Sequence, residues 1–235
     1  MSPVFALRLC LDLLAAGLLV FGLSYWWLGD TAHQAAGMAM FLLVAGHNVF
    51  NRRWYGRAAK ARHDARSLFN VGVTVVLLTT MAALLATSAM LATFLPEWIP
   101  SSAAGGARQV HVLAAYWAFV VVAVHLGLRW AMIMGVARRV LRIARPSRLR
   151  TGALRLATAA IAACGLWSFS ALQLGSRLTN QVSLDWWNFD ESVLGFFGHC
   201  AAVTGLLVAL GHYAALLMHR RRSGSGTAIP QGVHQ

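Results

Sequence analysis

Nine histidines occur in the chain, and four of them form two pairs with identical spacing. His33 and His47 bracket "HQAAGMAMFLLVAGH", and His111 and His125 bracket "HVLAAYWAFVVVAVH". No charged residue lies between the members of either pair. An imidazole can ligate a metal, relay a proton or donate and accept hydrogen bonds. Placing one in an apolar membrane segment is costly, and residues kept there usually face a bundle interior and serve function.

The spacing decides which chemistry is feasible. Fourteen steps at about 100° per residue give ~1400°, roughly 40° short of four full turns, and a rise of ~21 Å. The members of each pair therefore share one helix face at two depths. If the two helices run in the same direction and face each other, His33 opposes His111 and His47 opposes His125. Each opposed pair can clamp a planar metal macrocycle edge-on. Haem b is the candidate, because histidine is a standard axial ligand and the chain has no CxxCH attachment motif. Filling both axial positions leaves no open site for oxygen or substrate and suits the iron to passing single electrons. Zinc fits less well, since a structural zinc site takes four ligands and each tier offers two imidazoles.

Neighbouring residues suit a flat ring. Gly37 and Ala115 follow His33 and His111 by four, Gly46 precedes His47, and Gly127 follows His125 by two. Small residues also simply pack membrane helices. Arg129, four after His125, is placed to meet the propionates of the inner ring through charge-assisted bonds, or to snorkel to the interface. Arg52 and Arg53 could assist at the inner site, and Arg108 is the nearest base to His111 at the outer one. His199 and His212 are thirteen apart, ~140° off a common face, so they do not line one seam. Contact with a quinone, proton relay or hydrogen bonding within the bundle are all open to them. His63, His219 and His234 are expected at the surface. Asp12, an acid inside an apolar run, has Arg8 four positions earlier as its expected ion-pair partner.

The elements that must carry these residues are membrane helices. Of 235 residues, 58% are hydrophobic and 11% charged, against about 25% charged in a soluble domain. Apolar runs at 4–28, 32–50, 69–95, 109–135, 152–174 and 193–218 are each long enough to cross a core of ~30 Å as a helix. The first ends in "SYWWLGD", bulky rather than small-x-small, and reads as a retained helix rather than a cleaved signal peptide. Basic residues concentrate between spans two and three, between four and five, and after six. The opposite loops carry Asp30, Glu97, Asp185, Asp190 and Glu191, five of the seven acids. The positive-inside rule then puts both termini in the cytoplasm. The net charge of +13 is thus a topology signal that also suits an anionic lipid face, and nucleic acid is not an expected partner. Tryptophans 26, 27, 98, 186 and 187 on one side, and 54 and 130 on the other, form the expected aromatic belts. Cys10, Cys164 and Cys200 show no CxxC pattern and read as packing residues.

The loop "LPEWIPSSAAGGARQ" reads as a turn-rich connector, and "SRLTNQVSLDWWNFDES" has room for a short interfacial helix. The Gly/Ser-rich tail reads as disordered. The expected organisation is a four-helix haem-binding core over 1–140, two further spans over 141–220 and a cytoplasmic tail over 221–235.

"GHNVFNRRW", "HLGLRWAMIMGVARR", "LRLCLDLLAAGLL" and "HVLAAYWAFVVVAVHLGLRW" resemble a bacterial membrane family, a domain of unknown function associated with flavinylated extracytoplasmic electron-transfer systems and regarded as cytochrome-like. The resemblance covers roughly residues 5–140. It implies that His33, His47, His111 and His125 are the haem ligands. Asn48 and Arg129 stand where many relatives have histidine. The four-histidine arrangement is also similar to the di-haem core of respiratory cytochrome b.

The expectation is an all-α, polytopic transmembrane helix bundle of six spans in a bacterial inner membrane. It would hold two haem b groups and carry electrons between a quinol or other donor and an extracytoplasmic redox protein, a flavoprotein being one candidate. A haem-free proton or solute transporter using the same histidines, and a membrane anchor or assembly subunit, are the alternatives.

Overall fold

A computed structural model describes residues 3–59, 65–92, 101–143, 145, 147–181 and 187–224. Among these residues seven helices follow in order: α1 Pro3–Gly22, α2 Tyr25–Ala59, α3 Ala65–Leu91, α4 Ser101–Val140, α5 Arg148–Ala171, α6 Leu174–Leu178 and α7 Val193–Gly224. Among the described residues there is no strand. Glu97, Trp98, Asp185, Trp186, His63, the tail from residue 225 with His234, and the side chain of His219 lie outside the described residues.

Among the described residues, five helices are long and apolar enough to cross a membrane: Val4–Gly22, Ala65–Leu91, Gly105–Val140, Arg148–Ala171 and Val193–Met218. They match five of the six expected spans. The segment 32–50 is not among them, although it lies inside the 35-residue α2. His33, Gln34, His47 and Asn48 lower its hydropathy, so the residues that make it chemically interesting also weaken its membrane signal.

The first apolar run does not stay helical to residue 28. Helix α1 stops at Gly22, where the buried Ser24 donates its hydroxyl to the Phe21 carbonyl at 2.6 Å. Gly29 then bends α2 with φ 69° and ψ 177°, a backbone region essentially reserved for glycine. The chain reverses about this point. Arg8 lies over the Phe50 ring at 5.0 Å, and Asp12 meets His47. Both pairs are centred near residue 29, so α1 and α2 run antiparallel. The expected connector before span four is helical from Ser101 onward. The five-residue α6, Leu174–Leu178, overlaps only the start of the loop expected to have room for a helix, and residues 182–186 of that loop lie outside the described residues.

Backbone pairing runs α1 with α2, α3 with α4, α4 with α7, and α5 with α7. Helices α2 and α4 meet chiefly through side chains across the core. There Leu19 of α1, Met40 of α2, Met81 and Leu84 of α3, and Ala114 and Ala118 of α4 form one buried cluster. Met40 and Ala118 are each the midpoint of a histidine pair and share this cluster, and the first members, His33 and His111, lie ring against ring, so the two pairs stand in register and α2 and α4 are parallel. A second cluster joins α4 to α6 and α7 through Phe119, Leu174, Phe196, Cys200 and Val203.

Small residues allow the close crossings. A Cβ on Gly127 would stand 2.4 Å from the Val208 carbonyl oxygen of α7, and one on Gly211 would stand 2.7 Å from that of Val124. Gly165 of α5 approaches the Ala202 carbonyl in the same way, 2.6 Å from its notional Cβ. Helix α7 is therefore built onto α4, and α5 packs on α7.

Candidate functional site: two histidine tiers

Helix periodicity puts His33, Ala36, Met40, Val44 and His47 on one stripe of α2. Ala107, His111, Ala114, Ala118, Val121 and His125 form the matching stripe of α4. Ala36, Met40, Ala107, Ala114, Ala118 and Val121 are all buried, so both stripes face inward and carry their imidazoles with them.

At the first tier the rings of His33 and His111 have centroids 6.0 Å apart and planes inclined at 67°. His111 Nδ1 lies 3.1 Å from the Thr87 hydroxyl of α3. That hydroxyl donates its own proton to the Ala83 carbonyl at 2.7 Å. The threonine oxygen must then accept from His111, which puts the proton on Nδ1 and leaves the Nε2 lone pair available. Tyr25 packs edge-on against His33 at 5.2 Å and donates its hydroxyl to Asp30 at 2.6 Å. This bond holds the exposed Tyr25 phenol above its usual range.

At the second tier His47 Nδ1 stands 2.6 Å from Asp12 Oδ1. The carboxylate accepts the Nδ1 proton, so the lone pair again lies on Nε2. Asp12 thus pairs with His47 and not with Arg8, whose guanidinium sits over Phe50 instead. His125 is within electrostatic range of His47, Asp12 and Arg129. Asn51 donates to the His47 carbonyl at 2.9 Å. Asn48 donates to the Val44 carbonyl at 2.9 Å and accepts from Tyr55.

Each tier has the same internal asymmetry. One ring is held by a polar side chain from the neighbouring hairpin helix: Thr87 for His111, Asp12 for His47. The other ring, His33 or His125, has a buried Nδ1 without a hydrogen-bond partner. Such an atom costs about 1–3 kcal/mol, and a leucine would fill the same space without that penalty. Packing alone does not account for four imidazoles arranged this way.

The remaining expected site residues are placed less centrally. Gly37 has open space where its Cβ would be, and Gly127 lies on the α4–α7 crossing, facing α7 rather than α2. Arg129 is half-buried, while Arg52, Arg53 and Arg108 are exposed on α2 and α4. His199 is hydrogen-bonded within the bundle, its Nδ1 2.9 Å from the Ser168 hydroxyl, between the rings of Trp167 and Trp187. His212 packs against Tyr213. Cys10 and Cys164 are exposed, Cys200 is buried, and all three are free thiols. Among the described residues no three or more His, Cys, Asp or Glu side chains cluster as a metal-ion site; each tier offers two imidazoles.

Thr87 is the site residue that the sequence did not single out. No local signal marked it, since Thr87 lies 24 positions from His111 and becomes its neighbour only when α3 and α4 pack. Compared with protein-family models, with curated proteins and with solved structures, the chain matches none.

Proposed function

We propose that the chain is a di-haem b membrane cytochrome that carries electrons between a quinol or other donor and an extracytoplasmic redox protein. A flavoprotein is the partner that the resemblance over residues 5–140 suggests. The observation carrying this reading is the opposition of His33 and His111. A metal–imidazole bond is roughly 2 Å long, and the ring centre lies about 1 Å beyond the nitrogen, so imidazoles on opposite sides of one iron have centroids roughly 6 Å apart. The observed separation is 6.0 Å.

His33 and His111 would hold one group, and His47 and His125 the other. Haem b bound there supplies one-electron transfer without an open coordination position. Thr87 and Asp12 set the tautomer and aim of one imidazole per tier. Asp12 also places a negative charge against His47, which favours the oxidised state at that tier. Arg129 supplies a positive charge beside His125 that can answer an anionic substituent. The apolar layer of Met40, Met81, Leu84, Ala114 and Ala118 keeps water and protons from passing between the tiers.

In this reading α2 crosses the membrane although its hydropathy is modest. It lies antiparallel along α1 and carries the inner face of the bundle, so its polar residues meet protein rather than lipid. Six crossings then place both termini on the cytoplasmic side of a bacterial inner membrane, in keeping with the distribution of basic residues. Replacing His47 or His125 with alanine is expected to halve the haem content while leaving the first tier loaded, read from the absorption spectrum of the purified variants. Full haem content in both variants would remove the second tier from the account.

A further inference from the structure

The geometry points to a binding cavity for a quinone or quinol headgroup on the face of α4 opposite the first histidine tier. Its volume is about 390 Å³, within the range of roughly 300–1,000 Å³ usual for small-molecule sites. It lies among α4, α6, α7, the end of α5 and the α1–α2 turn. Two of its lining residues, Tyr116 and Phe119, belong to α4, the helix that carries His111. Tyr116, which lines the cavity, is five residues further along that helix, about 7.5 Å in rise.

The lining has the character of a site for a flat, neutral ring with an oxygen at each edge. Tyr116, Phe119, Trp187 and Phe196 line it with aromatic rings. Trp187 is set against Phe196 at 6.1 Å, and its indole N–H is taken up by the Ser192 carbonyl at 2.7 Å, which fixes the ring as a wall. Arg177 and Glu191 line the same cavity and bring a guanidinium donor and a carboxylate acceptor to it. Arg177 is held in place by donation from Nε to the Leu172 carbonyl at 3.1 Å and by its position over the Tyr116 ring at 5.0 Å. Glu191 accepts from Asn188 at 2.8 Å and is exposed to the aqueous side. A carbonyl oxygen suits the guanidinium, and a phenolic hydroxyl suits the carboxylate. A lipid chain has no use for either charge, and a free anion would be repelled by Glu191.

The choice of a quinone rests on the electron-transfer reading, but binding can be measured without it. Menadione and a decyl-tailed benzoquinone are titrated into the full chain in lipid nanodiscs, with tryptophan fluorescence as readout and haem content determined on the same samples. Saturable quenching is expected. Ala171→Trp, which fills the cavity from the last residue of α5, and Arg177→Gln are each expected to weaken binding about tenfold or more. The site is overturned if the wild-type chain shows no saturable quenching, if Ala171→Trp binds as tightly as wild type, or if phospholipid displaces the quinone at equal concentration. Haem without quinone binding would sink this site alone. Quinone binding without haem would sink the cytochrome reading and leave the site standing.

Discussion

A buried imidazole nitrogen without a hydrogen-bond partner is expensive, and among the described residues there are two, His33 Nδ1 and His125 Nδ1, one in each tier opposite a ring that is well anchored. At the scale of residues, that pairing argues for a ligand between the rings. It also makes the anchoring side chains testable. Asp12→Asn removes the carboxylate that orients His47, and Thr87→Val removes the acceptor that orients His111. Each change is expected to weaken haem retention at its own tier by roughly 10–100-fold, measured as the rate of haem loss to a soluble scavenger, with the other tier unaffected. Equal loss from both tiers in either variant would mean that the tiers are not separately anchored. The histidine spacing was legible in the sequence because fourteen residues is two full heptads, which a helix keeps on one face. The anchors were not, because Thr87 and Asp12 lie 24 and 35 positions from their imidazoles and become neighbours only when the hairpins close. Asp12 was visible as an oddity, but the nearby Arg8 was the local choice and the distant His47 is the actual partner.

At the scale of elements, the apolar runs located the helices well and their ends poorly. Hydropathy continues through Tyr25–Leu28 although the backbone has already turned at Leu23 and Ser24. A turn made by a buried serine and a glycine bend leaves no trace in an apolar average. The pairing of α4 with α7 was equally hidden, since its signature is only two glycines among many. Gly127 had suggested room for a ring. It instead admits the backbone of α7, with the Val208 carbonyl 2.4 Å from where a Cβ would lie. A backbone carbonyl cannot swing away as a side chain can, so Gly127→Ala is expected to destabilise the protein by about 1–3 kcal/mol. A lowered thermal midpoint in detergent would register this, while an unchanged midpoint would show that α4 and α7 are not in close contact.

At the scale of the whole molecule, the architecture is two antiparallel hairpins whose diagonal members, α2 and α4, face each other, with α7 added along α4 and α5 along α7. The same-direction run of α2 and α4 was implied by six crossings, and the contact of His33 with His111 supports it. Whether α2 itself crosses the bilayer turns on how its polar residues are sheltered, which hydropathy does not weigh. If it does, reporter fusions at the N- and C-termini will both read as cytoplasmic, and a cysteine introduced near Asp30 will be labelled from the opposite side. Termini on opposite sides would mean five crossings and would break the pairing of tiers by depth. The account depends most directly on the identity of what sits between the imidazoles, and pyridine haemochrome analysis of the purified chain, expressed with ample haem, measures it. The expected result is haem b near two per chain with a low-spin spectrum; a colourless protein with intact helical structure would contradict the account.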